Sequence, residues 1–203
     1  MRIDHPFPPR TILVPLDLSD ASLVGLETAR RLAARWRSRV ELVHVDEGPP
    51  PAFAQGVDLW TTEALARMRG DVRRWLKLAA APIPHAAAHV LTGTPSALLS
   101  RLAADGAADL VVMAPRRRRF LPPVFSGSVT EAAVHASNVP VLAVHSSHSE
   151  GWPRRILAPV KWAHHADRAL LTARDWAASL GAELGLMHIF EGGEPTRWRS
   201  APS

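Results

Sequence analysis

The sequence predicts an α/β protein: a doubly wound, five-stranded parallel sheet with an incomplete βαβ repeat appended. Three observations carry this. Short apolar runs rich in β-branched residues alternate with stretches whose apolar residues recur at helical spacing. The runs are apolar throughout instead of at every second position, as in strands covered on both faces. Finally, the opening strand–helix–strand pattern returns near the end of the chain in the same spacing.

Residues 11–16 (TILVPL) form the first strand, and Asp17 to Asp20 a turn in which Ser19 is placed to cap the following helix. Leu23, Leu26, Ala29, Leu32, Ala33 and Trp36 give that helix one apolar face. Val40 to Val45 (VELVHV) is the second strand, and GPPPAFAQG after it can continue neither strand nor helix. A second helix is predicted from Thr62 to Ala80, with Leu65, Met68, Val72, Trp75 and Leu76 on one face. Residues 86–91 (AAAHVL) make a weaker third strand. Thr94-Pro95 starts a helix whose apolar face is Leu98, Leu99 and Leu102 and whose stop is Gly106. Asp109 to Met113 and Pro140 to His145 are further buried strands, with a helix at Ser128 to Ser137 between them. Right-handed crossovers wind such a chain into one sheet, with ligands at the carboxyl ends of the strands. The turns after Leu16, Val45 and Met113 are therefore the places to look for a site.

Arg10 to Glu47 aligns without a gap onto Arg154 to Glu191, at a constant offset of 144 positions. ILVPL falls on ILAPV; Leu26, Ala29, Arg30 and His44 fall on Leu170, Ala173, Arg174 and His188. Any two βαβ units look broadly alike, but a gap-free register across four elements points to duplication. The expected organisation is a domain at 10–147, a linker at 148–153, a partial repeat at 154–191 and a polar tail at 192–203. A single strand–helix–strand unit has too little apolar area to fold well alone, so it needs the first domain or another chain.

Composition bounds the function. Hydrophobic residues make up 47% and charged residues 21%, a globular balance. Absence of cysteine removes disulfides, thiolate metal sites and a cysteine nucleophile, and suits a reducing cytoplasm. MRIDHPFPPR is no secretory leader, and no run approaches a membrane span of about 18 apolar residues, so a cytoplasmic location and no membrane partner are expected. The net charge of +5 favours anionic partners, although an arginine-rich usage has the same effect. Adjacent His164 and His165, with Asp167, point apart on a helix and do not make a metal site. His44 and His188, lying within strands, are expected as packed core groups. No Ser/His/Asp spacing, phosphate-binding Walker loop or paired carboxylates stand out, so no enzymatic activity is expected.

ILVPLD followed by SDAS and an amphipathic helix resembles the opening of universal stress proteins. So does GTPSALLSRLAADGAADLVVM, followed after a loop by FSGSVTEAAVHASNVPVLAVH. The resemblance covers residues 10–146 as a full domain and 154–191 as a partial one. It implies the adenine-nucleotide alpha-hydrolase-like form of the doubly wound fold and a stress-response regulator. It also implies a homodimer through the last strand, here Val141 to Val144, unless the second repeat caps that edge. Family members that bind ATP place an aspartate after the first strand, near the ribose; Asp17 matches it. A carboxylate accepts both hydroxyls of a sugar diol, but it equally serves as a turn or cap residue. Val14, Pro15, Val45 and Met113 match positions bordering the adenine, as any apolar strand ends would.

The phosphate loop of those members, Gly-x2-Gly-x9-Gly-Ser/Thr, is altered here: Ala114 and Arg117 stand where the first two glycines belong. Glycine there gives amides access to phosphate oxygens, and an arginine side chain obstructs that approach. Ser126, Gly127, Ser128 and Val129 still open a helix, whose free amides favour an anion or simply form a cap. Arg116 to Arg119 either replace the backbone cradle with guanidinium groups or form a solvated basic loop. Nucleic acid would need a broader basic patch with more aromatics than Phe120 and Phe125. In the second copy Lys161 replaces Asp17, so at most one nucleotide per chain is expected. Two readings follow: a regulator binding ATP or a related nucleotide in a degenerate site, and an interaction module that binds none.

Overall fold

The computed structural model describes residues 6–48, 59–114, 133–135, 137–145, 151–160 and 166–188, with backbone alone at 59–61, 103 and 166–168. The chain divides into two compact units, Met1–Ser147 and His148–Ser203. In the first, the chain runs β1 (Thr11–Pro15), α1 (Asp20–Trp36), β2 (Arg39–Asp46), α2 (Leu59–Ala80), β3 (Ala86–Thr92), α3 (Pro95–Ala104), β4 (Leu110–Met113) and β5 (Val141–Ala143). The strands form one sheet of order β3-β2-β1-β4-β5, parallel at every pairing. After β3 the chain returns past β1 to lay down β4, so the order reverses between β1 and β4, the switch point outside whose carboxyl ends ligands bind in open α/β sheets.

Alternation along each strand builds two buried layers. Leu13, Val43, Val111 and Met113 share one cluster with Leu99 and Ala108 of the α3 region and with Ala133 and Val139. The intervening Ile12, Val14, Val40, Leu42, Leu110 and Val112 are equally enclosed and therefore face the other side. Each such side chain withdrawn from water contributes roughly 1.5–3 kcal/mol, which is why these strands are apolar at every position.

Several local expectations need correction. The buried face of α1 is Ser22, Gly25, Ala29, Leu32 and Ala33, while Leu23 is exposed. Small residues at 22 and 25 let the helix press onto the sheet, and this turns Leu23 outward. On α2, Met68 is exposed and Leu76 is buried. The third strand and second helix are slightly longer than predicted, ending at Thr92 and starting at Leu59. Asp109 is not part of β4, because its carboxylate accepts from the Arg10 and Thr11 amides, at 2.8 and 2.9 Å. The last strand of the sheet is shorter than Pro140 to His145, and α3 ends at Ala104 before Gly106. Thr94 caps α3 with its carbonyl, which accepts from Leu98 N at 3.0 Å; its hydroxyl makes no cap bond. Of the helix predicted at Ser128 to Ser137, residues 133–135 are helical and most of the remainder lies outside the described residues.

In the second unit, β6 (Arg155–Pro159), α4 (Ala166–Leu180) and β7 (Glu183–Met187) form a parallel pair with its crossover helix. Its pairing Arg155↔Glu183 through Pro159↔Met187 reproduces Thr11↔Arg39 through Pro15↔Val43 at the same 144-position offset. The flanking bonds repeat too: Arg39 N to Arg10 O at 2.8 Å matches Glu183 N to Arg154 O at 2.9 Å.

Candidate functional site

At the carboxyl ends of β1, β2 and β4 the fold brings together Pro15, Asp17, Val45, Met113 and Ala114. Leu16 extends β1 by donating its amide to Val43 O at 2.8 Å. Leu18 then takes a left-handed conformation, φ 63°, which turns the chain into α1. Asp17 sits at this bend. Its Oδ1 accepts from the Ser19 amide at 3.0 Å and from the Ser19 hydroxyl. Ser19 in turn caps α1, its Oγ accepting from Ser22 N at 3.3 Å. Asp17 thus holds the turn at the carboxyl end of β1, where it is also the candidate ligand for a sugar diol.

Ala114 follows the carboxyl end of β4. A Cβ on Gly25 would lie 3.2 Å from Ala114 N and 3.4 Å from the carbonyl carbon of Met113. The missing side chain at position 25 is what lets α1 approach the end of β4 so closely. Met113 is buried in the core cluster, with Val45 packed against its edge. Val14 is fully enclosed, so any ligand would meet its backbone and not its side chain. Pro15, the last residue of β1, is half-buried. Arg116, Arg117, Ser126, Gly127, Ser128 and Val129 lie outside the described residues, as do Lys161, His164 and His165.

Two features of this end were not foreseen. Asp46, the last residue of β2, accepts from Gly48 N at 2.9 Å and from Arg69 Nε of α2 at 2.5 Å. The Gly48 amide, then the Arg69 guanidinium, hold its carboxyl below the usual aspartate range against the opposing effect of burial. The Asp46-x-Gly48 spacing was a legible turn signal; nothing in the sequence tied Arg69 to it.

The second feature is His44. It is not a packed core group: its Nδ1 donates to Leu16 O at 2.8 Å. His188 is exposed and makes the same bond to Val160 O, at 2.7 Å. The coincidence of the two histidines at the 144-position offset was the available signal.

Among the described residues no group of three His, Asp or Glu could hold a metal, and no helix is long and apolar enough to cross a membrane. What the described residues present at this end is a carboxylate and strand-end backbone at the mouth of a parallel sheet.

Comparison with known proteins agrees with this architecture. The family model described as the universal stress protein family matches residues 9–145. The structure of hypothetical protein MJ0577 is similar over 69% of this chain and 98% of its own, with a TM-score of 0.56 and 22% identity. Universal stress protein UspA from Lactobacillus plantarum matches over 66% of this chain and 97% of its own, with a TM-score of 0.52 and 21% identity. A universal stress protein from Archaeoglobus fulgidus DSM 4304 matches over 92% of this chain and 68% of its own, with a TM-score of 0.62 and 22% identity. At these identities the likeness concerns the fold, the adenine-nucleotide alpha-hydrolase-like form of the doubly wound sheet. No curated protein matches the sequence.

Proposed function

Because the chain belongs to the universal stress protein family, we propose that it is a non-enzymatic, cytoplasmic stress-response regulator that binds ATP or a related adenine nucleotide at the β1/β4 switch point. The observation that carries this reading is the placement of Asp17. A carboxylate stands at the point where strand order reverses, oriented by Ser19 and backed by the close approach of Gly25 to Ala114. The ribose hydroxyls would donate to Asp17, and the base would lie toward Val45 beside the Asp46–Arg69 pair. Phosphates would extend past Ala114 toward Ser126 to Ser128, with Arg116 and Arg117 replacing the lost backbone access. Residues 154–191 are read as an incomplete second repeat, supported by the shared register and the two matched histidine bonds. Homodimerisation is assigned to the outer edge of β5, the end strand of the sheet.

A second reading has its own support. Ser19 already engages Asp17, and Ala114 and Arg117 replace two glycines, as expected of a family member whose pocket no longer serves a nucleotide and whose partners are proteins. Calorimetric titration of ATP into the full chain, with Asp17→Ala beside it and both checked for folding by circular dichroism, separates the two. Micromolar binding lost in the folded variant supports the nucleotide reading. Absence of heat and of competition by other adenine nucleotides supports the interaction module.

A further inference from the structure

We infer that His44 is a positioning residue for the nucleotide site, acting on Asp17 through the Leu16–Asp17 peptide. This rests on the reading of Asp17 as the ribose ligand. Leu16 is tied to β2 through both of its backbone polar groups: its amide donates to Val43 O and its carbonyl accepts from His44 Nδ1, each at 2.8 Å. A peptide unit is planar, so fixing the Leu16 carbonyl fixes the plane that also contains the Asp17 nitrogen and Cα. The next residue, Leu18, is left-handed at φ 63°. A chain that reverses this tightly passes any rotation of that plane directly to the direction of the Asp17 carboxylate. The imidazole must carry its proton on Nδ1 to make the bond, and that proton is present in the cation as well as in one neutral tautomer.

The second unit holds the control. His188 donates to Val160 O at 2.7 Å, and Val160 N donates to Met187 O at 2.8 Å, the same pair of bonds at the same spacing. There the position matching Asp17 is Lys161, and the unit carries no counterpart of the ribose ligand. If the histidine only braces a βαβ turn, losing either one has the same kind of consequence. If His44 also aims Asp17, its loss alone reaches the ligand.

The experiment uses the full chain with His44→Leu, His44→Asn and His188→Leu, each titrated with ATP and melted. His44→Leu is expected to weaken ATP binding about tenfold, which corresponds to about 1.4 kcal/mol. His188→Leu is expected to leave binding unchanged while lowering the melting temperature. His44→Asn, whose amide nitrogen reaches the place of Nδ1, is expected to recover most of the affinity. Unaltered affinity in His44→Leu overturns the inference, as does an equal loss in His188→Leu. Should the unmodified chain bind no ATP, the nucleotide reading fails separately. The positioning is then read from the Asp17 side-chain carboxyl 13C resonance of the free protein. His44→Leu must displace it and His188→Leu must not; a resonance unmoved by both overturns the inference.

Discussion

Arg37 and Gly181 occupy matched positions after α1 and α4, and both hold a left-handed backbone, φ 58° and 68°. Glycine adopts that conformation without a Cβ penalty, whereas an arginine pays roughly 1 kcal/mol for it. Arg37→Gly is therefore expected to stabilise the first unit by about 0.5–1 kcal/mol, part of the gain being offset by the freer unfolded chain. Chemical denaturation should show a higher midpoint at unchanged slope. Legibility at this scale was uneven. Ser19 as a cap and Asp17 as a turn residue followed from their own short side chains. Asp46–Arg69 and His44–Leu16 did not, because each joins groups more than twenty residues apart, and local sequence does not encode which distant partner arrives.

Helix periodicity placed α1 and α2 and the side each buries, with Ala29, Leu32, Ala33 and Leu76 enclosed, but it put Leu23 and Met68 on those sides although both are exposed. The two helices differ at their glycines. A Cβ at Gly25 meets the backbone of Met113 and Ala114, which cannot yield as a side chain would, while a Cβ at Gly70 in α2 meets nothing within 4 Å. The two substitutions to alanine should therefore have opposite signs. Gly70→Ala is expected to gain about 0.5–1 kcal/mol from helix propensity. Gly25→Ala should lose stability despite the same propensity gain, since α1 must lift from β4. Thermal melts of the two variants check this, and equal stabilisation of both would mean that α1 has room to spare. Leu23 stands exposed because in the first turns the buried stripe runs through Ser22 and Gly25, before it continues along Ala29, Leu32 and Ala33.

At the scale of the molecule, the fold class and the five-stranded sheet were legible, because strand alternation is a property of long stretches, and the pairings of β1–β2 and β6–β7 share the 144-position offset. The chemistry of the phosphate loop was not legible, since it depends on what arginines 116 and 117 do where the family pattern has backbone. The two units also differ in completeness. Leu13 and Leu42 are 2% and 0% exposed in the first, whereas the matched Leu157 and Leu186 are 49% and 55% exposed in the second. Residues 1–147 alone are expected to unfold cooperatively, and residues 148–203 alone to show no cooperative transition by circular dichroism.

The shared register of β1–β2 and β6–β7 means that the chain carries two keys cut for nearly the same lock. The backbone positions that welcome Ile12 and Val40 would accept Ile156 and Leu184 in the same hydrogen-bonding frame. During synthesis the first key is turned before the second has been made, so the order of translation itself selects the right one. A chain released all at once from denaturant has no such chronology, and the second strand pair competes for a seat at the centre of the first sheet.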